Sequence, residues 1–256
     1  MHTITKRKKT MGIDLKKIKA RKVALDSRGG NSSFWRPQDG DQTIRIVPTA
    51  DGDPFKDFFF HYNVGKNSGF VCPKKNFGDD CPVCGFATKL YNEGTDDSIK
   101  MAKSLFARQR FFSPVVVRGE EADGVRIWGY GKMAYESLLN LVLNPEYGDI
   151  TDAEEGTDLI LTYGKPAGAT FPQTKLQPRR QSSPLCQDGP EKCAEMMESI
   201  PEFEGLFDRK TTEQVAAMLD EFLSDEESAE DSSVETSKYN EKGASSVDQA
   251  FNELLS

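Results

Sequence analysis

Histidine is scarce in this chain: the 256 residues hold only His2 and His61. There is no HExxH pair, so a hydrolytic zinc site is poorly supplied. A P-loop, a Rossmann glycine pattern, a G-x-S-x-G elbow and a paired-carboxylate signature are also missing, and with them the machinery of the common enzyme classes. The sequence is therefore expected not to encode an enzyme. No apolar run reaches the roughly 18 residues a membrane span needs, so no membrane partner is expected. The basic N-terminus lacks the apolar stretch of a signal peptide. Five cysteines, an odd number, do not suit a secreted disulfide framework. These absences together point to a reducing, intracellular compartment. Internal repeats are lacking, and hydrophobic residues reach only 37% against 29% charged, which fits a folded body with disordered ends.

Charge is present but segregated. Residues 1–22 carry nine Lys or Arg against the single Asp14, with a dense cluster at Lys6, Arg7, Lys8 and Lys9 followed by Thr10. Residues 225–256 carry nine Asp or Glu against Lys238 and Lys242. A basic head and an acidic tail suggest nucleic-acid contact at one end and protein contact at the other. The boundaries read as a basic arm over 1–22, a Gly/Ser-rich linker over 23–33, a folded core over 34–223 and an acidic, disordered tail over 224–256. The tail ends on Phe251, Leu254 and Leu255, spaced as a short docking peptide.

His61 matters because of its neighbours. His61, Cys72, Cys81 and Cys84 follow an H-x10-C-x8-C-x2-C spacing. One imidazole and three thiols make a closed tetrahedral set for one structural Zn2+, with no open position for water. Cys81-Pro82-Val83-Cys84 supplies two ligands from one tight turn, and Gly85 suits a crowded backbone beside a metal. Gly65 and Gly69 can turn a hairpin that carries His61 to Cys72. A redox C-x-x-C would open a helix behind a strand in an alternating unit, and a third Cys and a His nearby argue against it. The zinc module is expected over about 55–94, closed by a short helix in FATKLYNEG that stops at Gly94. Cys186 and Cys193 have no histidine nearby and read as free thiols.

The body is rich in strand patterns. QTIRIVP at 42–48 alternates Ile44 and Ile46 with Arg45. FKDFFFHYNV at 55–64 reads as an aromatic strand that delivers His61. SLFARQRFFSPVVVRG at 104–119 reads as a long strand interrupted near Pro114, and VRIWGYGK at 125–132 as its hairpin partner. On these two strands Arg108, Arg110, Phe112, Arg126, Trp128, Tyr130 and Lys132 are all even-numbered, so regular pleating puts them on one face of their strands. Arg and Lys interleaved with Phe111, Phe112, Trp128 and Tyr130 resemble a platform on which unpaired bases stack while cations meet phosphate. Helices are expected at 133–144, with Leu138, Leu139, Leu141 and Val142 inward, and at 211–224. The second has Thr211 or Thr212 as N-cap and Val215, Met218, Leu219 and Phe222 inward. A strand is expected at 158–164, and a loop over 165–193.

With the KRKKT arm, the zinc-stapled aromatic body ending its ligand set in CPVC, the TIRIVP strand and the acidic tail, the chain resembles the single-stranded DNA-binding proteins of T-even-type bacteriophages, the helix-destabilising replication proteins. The resemblance implies a mainly β fold with peripheral helices (α+β), an OB-fold core and an inserted zinc-binding subdomain beside a DNA cleft. It implies that Lys6, Arg7, Lys8, Lys9 and Thr10 mediate cooperative self-association along the strand. It further implies that the acidic tail recruits phage replication and recombination proteins in the host cytoplasm. The set His61, Cys72, Cys81 and Cys84 matches the family's zinc ligands. Arg45, Arg108, Arg110, Phe111, Phe112, Trp128, Tyr130 and Lys132 fall in segments resembling its DNA-contacting strands, whereas 165–193, with Phe171, Arg179 and Arg180, matches poorly. The expected function is cooperative, largely sequence-independent binding of single-stranded DNA in replication, recombination and repair. The alternatives are a zinc-stabilised single-stranded RNA-binding or translational regulator, a zinc-dependent nucleic-acid enzyme and an adaptor acting through its tail alone.

Overall fold

The computed structural model describes residues 33–64, 69–186 and 189–231. The basic arm, all of the linker but Ser33, Gly65 and the acidic tail beyond Asp231 lie outside them. In chain order the elements are β1 (Phe34–Trp35), β2 (Gly40–Ile46), β3 (Lys56–His61), β4 (Phe70–Val71), α1 (Pro73–Phe77), α2 (Pro82–Glu93) and α3 (Asp96–Leu105). They continue with β5 (Arg108–Val117), β6 (Arg126–Tyr130), α4 (Lys132–Val142), β7 (Leu159–Gly164), β8 (Gln173–Pro178), α5 (Pro190–Glu198) and α6 (Thr212–Asp231). The result is a mixed sheet with peripheral helices. Its strand order is β1-β6-β5-β2-β7-β8, with β3 and β4 joined to the side of β5. All pairings are antiparallel except β1 with β6.

β5 is the hub. Along one edge it pairs first with β3, over residues 108–112, and then with β2, over 115–117. Along the other it pairs with β6. The strand therefore runs through Pro114, where an interruption is expected from the sequence. The Pro114 carbonyl accepts the Val47 N–H at 2.9 Å, so the absent Pro114 N–H faces the same gap between the two partner strands, where no ladder bond is lost.

Both faces of β5 are covered. Phe111, Val115 and Val117 join Trp35, Ile44, Ile46, Trp128, Tyr130, Ala134, Leu138, Leu159 and Leu161 in one core beneath α4. Phe112 packs on the opposite face with Phe34, Phe58, Phe60 and Ile127, and Val116 with Val47, Val125 and Leu185. α4 turns Ala134 and Leu138 inward as its periodicity requires, but Val142, expected inward, is 38% exposed.

Helix ends follow their local chemistry. Pro82 opens α2 at its first turn and Gly94 closes it at φ 78°. Thr211 and Gln214 form a capping box ahead of α6: the Thr211 N–H donates to the Gln214 side chain at 3.0 Å, and the Gln214 N–H to Thr211 Oγ1 at 3.3 Å. Val215, Leu219 and Leu223 of α6 then pack with Val83, Phe86, Ala87 and Leu90 of α2 and with Ala102 and Leu105 of α3. Elements that periodicity does not announce include α1, capped by Cys72; α3, capped by Thr95 with Asp96 and Asp97 in its first turn; β8; and α5.

The back of β2 is held by charge. Arg45 is fully buried and donates from Nε to Asp158 Oδ1 at 3.1 Å, while Arg118 donates from Nη2 to the same oxygen at 2.9 Å. Arg45 also reaches the Ser183 carbonyl, and Arg118 the carbonyls of Pro184 and Leu185, both at 2.8 Å. Gly156 lies against this network: a Cβ there would collide with the Asp152 carbonyl and Arg45 Nη1. Gly156→Ala is expected to destabilise the protein by about 1–3 kcal/mol, the usual cost of overpacking, read as a lowered urea midpoint. An unchanged midpoint would show that the loop relaxes freely.

Candidate metal centre and nucleic-acid interface

The metal centre is assembled by one hairpin, one short helix and one helix start. β3 and β4 pair with His61 opposite Phe70, and the Cys72 N–H donates to the Phe59 carbonyl at 2.8 Å. Cys72 caps α1, its Sγ accepting the Lys75 N–H. Asn76 locks the turn, donating from Nδ2 to the carbonyls of Phe59 at 2.9 Å and Cys72 at 2.7 Å. Cys81 and Cys84 come from the start of α2.

The four ligand atoms all lie within 4.8 Å of one another. His61 Nε2 is 3.4 Å from both Cys81 Sγ and Cys84 Sγ, and Cys72 Sγ is 3.5 Å from Cys84 Sγ. Zinc–sulfur bonds of about 2.3 Å imply tetrahedral edges of roughly 3.8 Å, the scale of these separations, so the set can hold one ion. His61 Nδ1 donates to the Leu105 carbonyl at 2.8 Å, which fixes the ring orientation and turns Nε2 toward the thiols as the nitrogen that would meet a metal. His61, Cys72 and Cys81 are buried and no cysteine is in a disulfide.

Electrostatics make the same demand for a cation. Burial of the His61 ring works against its charge, but hydrogen bonds that the protonated ring donates to Cys72 and Cys81 outweigh it and raise its pKa to about 9. Cys72 is pulled far below the normal thiol range by hydrogen bonds from Cys81 and Cys84, while those to Cys72 and Cys81 push Cys84 far above it. Three thiolates this close do not ionise together without a positive ion between them.

The expected stacking platform is not exposed. Phe111, Phe112, Trp128 and Tyr130 are all buried, and Phe111 stacks on Tyr135 of α4 at 3.9 Å. Tyr130 hydrogen-bonds Ser113 at 2.7 Å, and burial raises its pKa. Arg45 is committed to Asp158, and burial lowers its pKa. The four aromatic residues are interior because β5 and β6 are covered on both sides, and Arg45 of β2 because the Ser183 segment closes over it, which a period-two pattern does not reveal. Lys132 is exposed but opens α4 instead of extending β6, 3.6 Å from Glu136.

Exposed groups collect instead at the start of β5. Arg108 and Arg110 face solvent, directly across from Phe60 and Phe58 of β3. Burial raises the pKa of Tyr62, and the charges of Arg110 and Arg108 oppose that rise, so all three are neighbours. Phe106, just before the strand, is 36% exposed and meets Tyr91, 49% exposed, with ring centroids 5.9 Å apart. Tyr91 lies just off the buried stripe Val83, Phe86, Ala87 and Leu90 of α2, a position helical spacing marks as outward. Lys74 and Lys75 are exposed on α1, beside the metal centre. Phe171, between β7 and β8, is 74% exposed.

The sequence profile of the family described as gp32 DNA binding protein like matches residues 38–223. The chain belongs to this family. Those residues carry a gp32-like single-stranded DNA-binding domain, in which the His61, Cys72, Cys81 and Cys84 cluster and the exposed start of β5 both fall. As a gp32-like DNA-binding protein it is not an enzyme. A search of curated proteins finds no match to the chain. No helix among the described residues is long and apolar enough to cross a membrane.

Proposed function

We propose that this gp32-like protein binds single-stranded DNA cooperatively and with little sequence preference, coating melted strands during phage replication, recombination and repair inside the host cell. The observation that carries the reading is the solvent-facing pair Arg108 and Arg110, set on a strand beside the metal centre and next to the exposed Tyr91–Phe106 pair. Guanidinium groups reach phosphate, and exposed rings take unpaired bases. Binding melted strands and not duplex shifts the duplex equilibrium by mass action. The bound ion is read as one structural Zn2+, because three thiolates and an imidazole are soft, complete its coordination and leave no site for water. The sheet is read as an OB-type barrel with the zinc module inserted between β3 and β5. Lys6, Arg7, Lys8, Lys9 and Thr10 are assigned to contacts between neighbours on the strand, and the acidic tail to replication and recombination partners.

The test is a salt titration. Replacing Arg108 and Arg110 together with alanine is expected to weaken binding to oligothymidylate and to reduce the slope of log affinity against log salt by about 1.4, near 0.7 per lost phosphate contact on a single strand. Metal content should not change. An unaltered slope would place the phosphate path elsewhere. Equal affinity for matched duplex would overturn the reading, and tighter binding to oligouridylate would favour the RNA alternative. Both tryptophans, Trp35 and Trp128, are buried, so a labelled oligonucleotide reports binding more directly than intrinsic quenching.

A further inference from the structure

Between α5 and α6 the chain crosses the outer face of β3 and β5 as a strap, Glu202-Phe203-Glu204-Gly205-Leu206-Phe207-Asp208. Phe207 sits in a cage of rings. Its centroid is 5.6 Å from Phe34, 5.1 Å from Phe58, 5.0 Å from Phe60 and 5.1 Å from Phe112. The cage adjoins the charges of the proposed DNA surface, since Phe58 and Phe60 are the cross-strand partners of Arg110 and Arg108.

Phe60 and Phe112 are buried under Phe207, yet Phe207 itself is only half-buried. Two backbone hydrogen bonds of the strap, Gly205 N–H to the Glu202 carbonyl and Leu206 N–H to the Phe203 carbonyl, are internal to it. Beyond the strap, Arg209 pairs with Asp79 and lies over the Phe77 ring at 4.5 Å, so the far end is anchored on the metal module. A flat ring in an aromatic cage, on a segment that carries the carboxylates of Glu202 and Asp208, beside two arginines, has the chemistry of a base in a polyanionic chain.

We infer that Phe207 holds the place of an unpaired nucleobase, and that the strap is an intramolecular competitor which single-stranded DNA displaces from the Phe58–Phe60–Phe112 cage. The inference rests on the single-strand-binding reading above. It goes beyond that reading in assigning the buried Phe112 to a site that opens on binding, and in assigning a gating role to a segment that contributes no cation.

Two measurements test it on the full chain. Wild type and Phe207→Ala are compared for binding an oligothymidylate of about eight nucleotides, within the span of one OB-type groove, by anisotropy of a labelled strand. The variant is expected to bind about tenfold tighter, because apparent affinity scales with the fraction of molecules whose site is open. Hydrogen exchange of peptide 200–209 is followed in the unmodified protein with and without saturating oligonucleotide. Exchange should quicken on binding as the strap lifts. Slower or unchanged exchange overturns the inference even if the variant folds poorly, and so does weaker or equal binding by a folded variant. If the wild type fails to bind the oligonucleotide at all, the single-strand reading itself falls. If it binds and the strap stays protected, only the gate is lost.

Discussion

Replacing Cys81 with serine, or stripping the metal with a chelator, is expected to unfold the segment from Phe70 to Leu105 while the sheet core stays folded. The physical ground is the composition of two separate cores. The metal-side core, with Phe70, Cys72, Cys81, Val83, Phe86, Leu90 and Leu105, contains two of the ligands themselves. A structural zinc contributes on the order of 10 kcal/mol to small modules, comparable to the whole stability of a typical domain. The sheet core is built on Trp35, Ile44, Val115, Trp128 and Leu159, none of which touches the ligand set. Tryptophan emission therefore reports the sheet, while amide exchange over residues 70–105 reports the module. Loss of exchange protection with little change in emission is the expected result, and α6 should loosen with the module through Val215 and Leu219. A Cys81→Ser protein with full metal content and unchanged melting would end the structural-zinc reading.

The pH dependence has opposite signs with and without the ion. Zinc needs deprotonated ligands, so the stability it confers is lost as pH falls. In the metal-free protein the His61 pKa is raised from 6.5 to about 9. Its contribution is then fully present below 6.5 and is lost as pH rises through about 9. Zinc uptake at neutral pH consequently expels the His61 proton as well as thiol protons. Titration calorimetry in buffers of different ionisation enthalpy measures that release directly.

Asp158→Asn is expected to cost about 3–5 kcal/mol, the range for a buried ion pair that loses one partner, or roughly 10 °C in melting temperature for a chain of this size. One carboxylate serves two guanidinium groups here, from Arg45 and Arg118. An asparagine keeps the shape and one acceptor but removes the charge. Arg45, fully buried, cannot recover water, whereas Arg118, with its side chain 13% exposed, partly can. The two arginines also hold the 183–185 segment through backbone carbonyls. Exchange at the Leu185 amide, which donates to the Ala153 carbonyl at 2.8 Å, should rise in the variant. Metal content should be unaffected. A cost under about 1 kcal/mol would mean that water enters the site and replaces the carboxylate.

The metal centre was legible because its information is local. Ligand type, the C-x-x-C turn and Gly94 at a helix end all act over a few residues, and the structure places all four ligand atoms together; the helix expected in FATKLYNEG in fact begins earlier, at Pro82. Ile44 and Ile46 were assigned to the core for the same reason, as were Val215 and Leu219. Thr95, Asp96 and Asp97 form a sound helix start for α3, but its apolar stripe is thin and the strand pattern beginning at residue 104 overlaps its end, so periodicity does not reveal it.

The sequence by itself determined the ligand set, the pairing of β5 with β6, a threonine start for α6 and the separation of charge between the chain ends. Only the tertiary structure decided which faces meet solvent. Alternation along β5 and β6 sorts residues into two sides but carries no information on what covers each side. α4 covers Phe111, the 203–207 strap covers Phe112, and the 183–185 segment encloses Arg45. For Phe112 and Arg45 the cover comes from roughly a hundred residues or more along the chain, beyond the reach of any local pattern. That is why Arg108 and Arg110 remain exposed to solvent, while the aromatic residues following them became core.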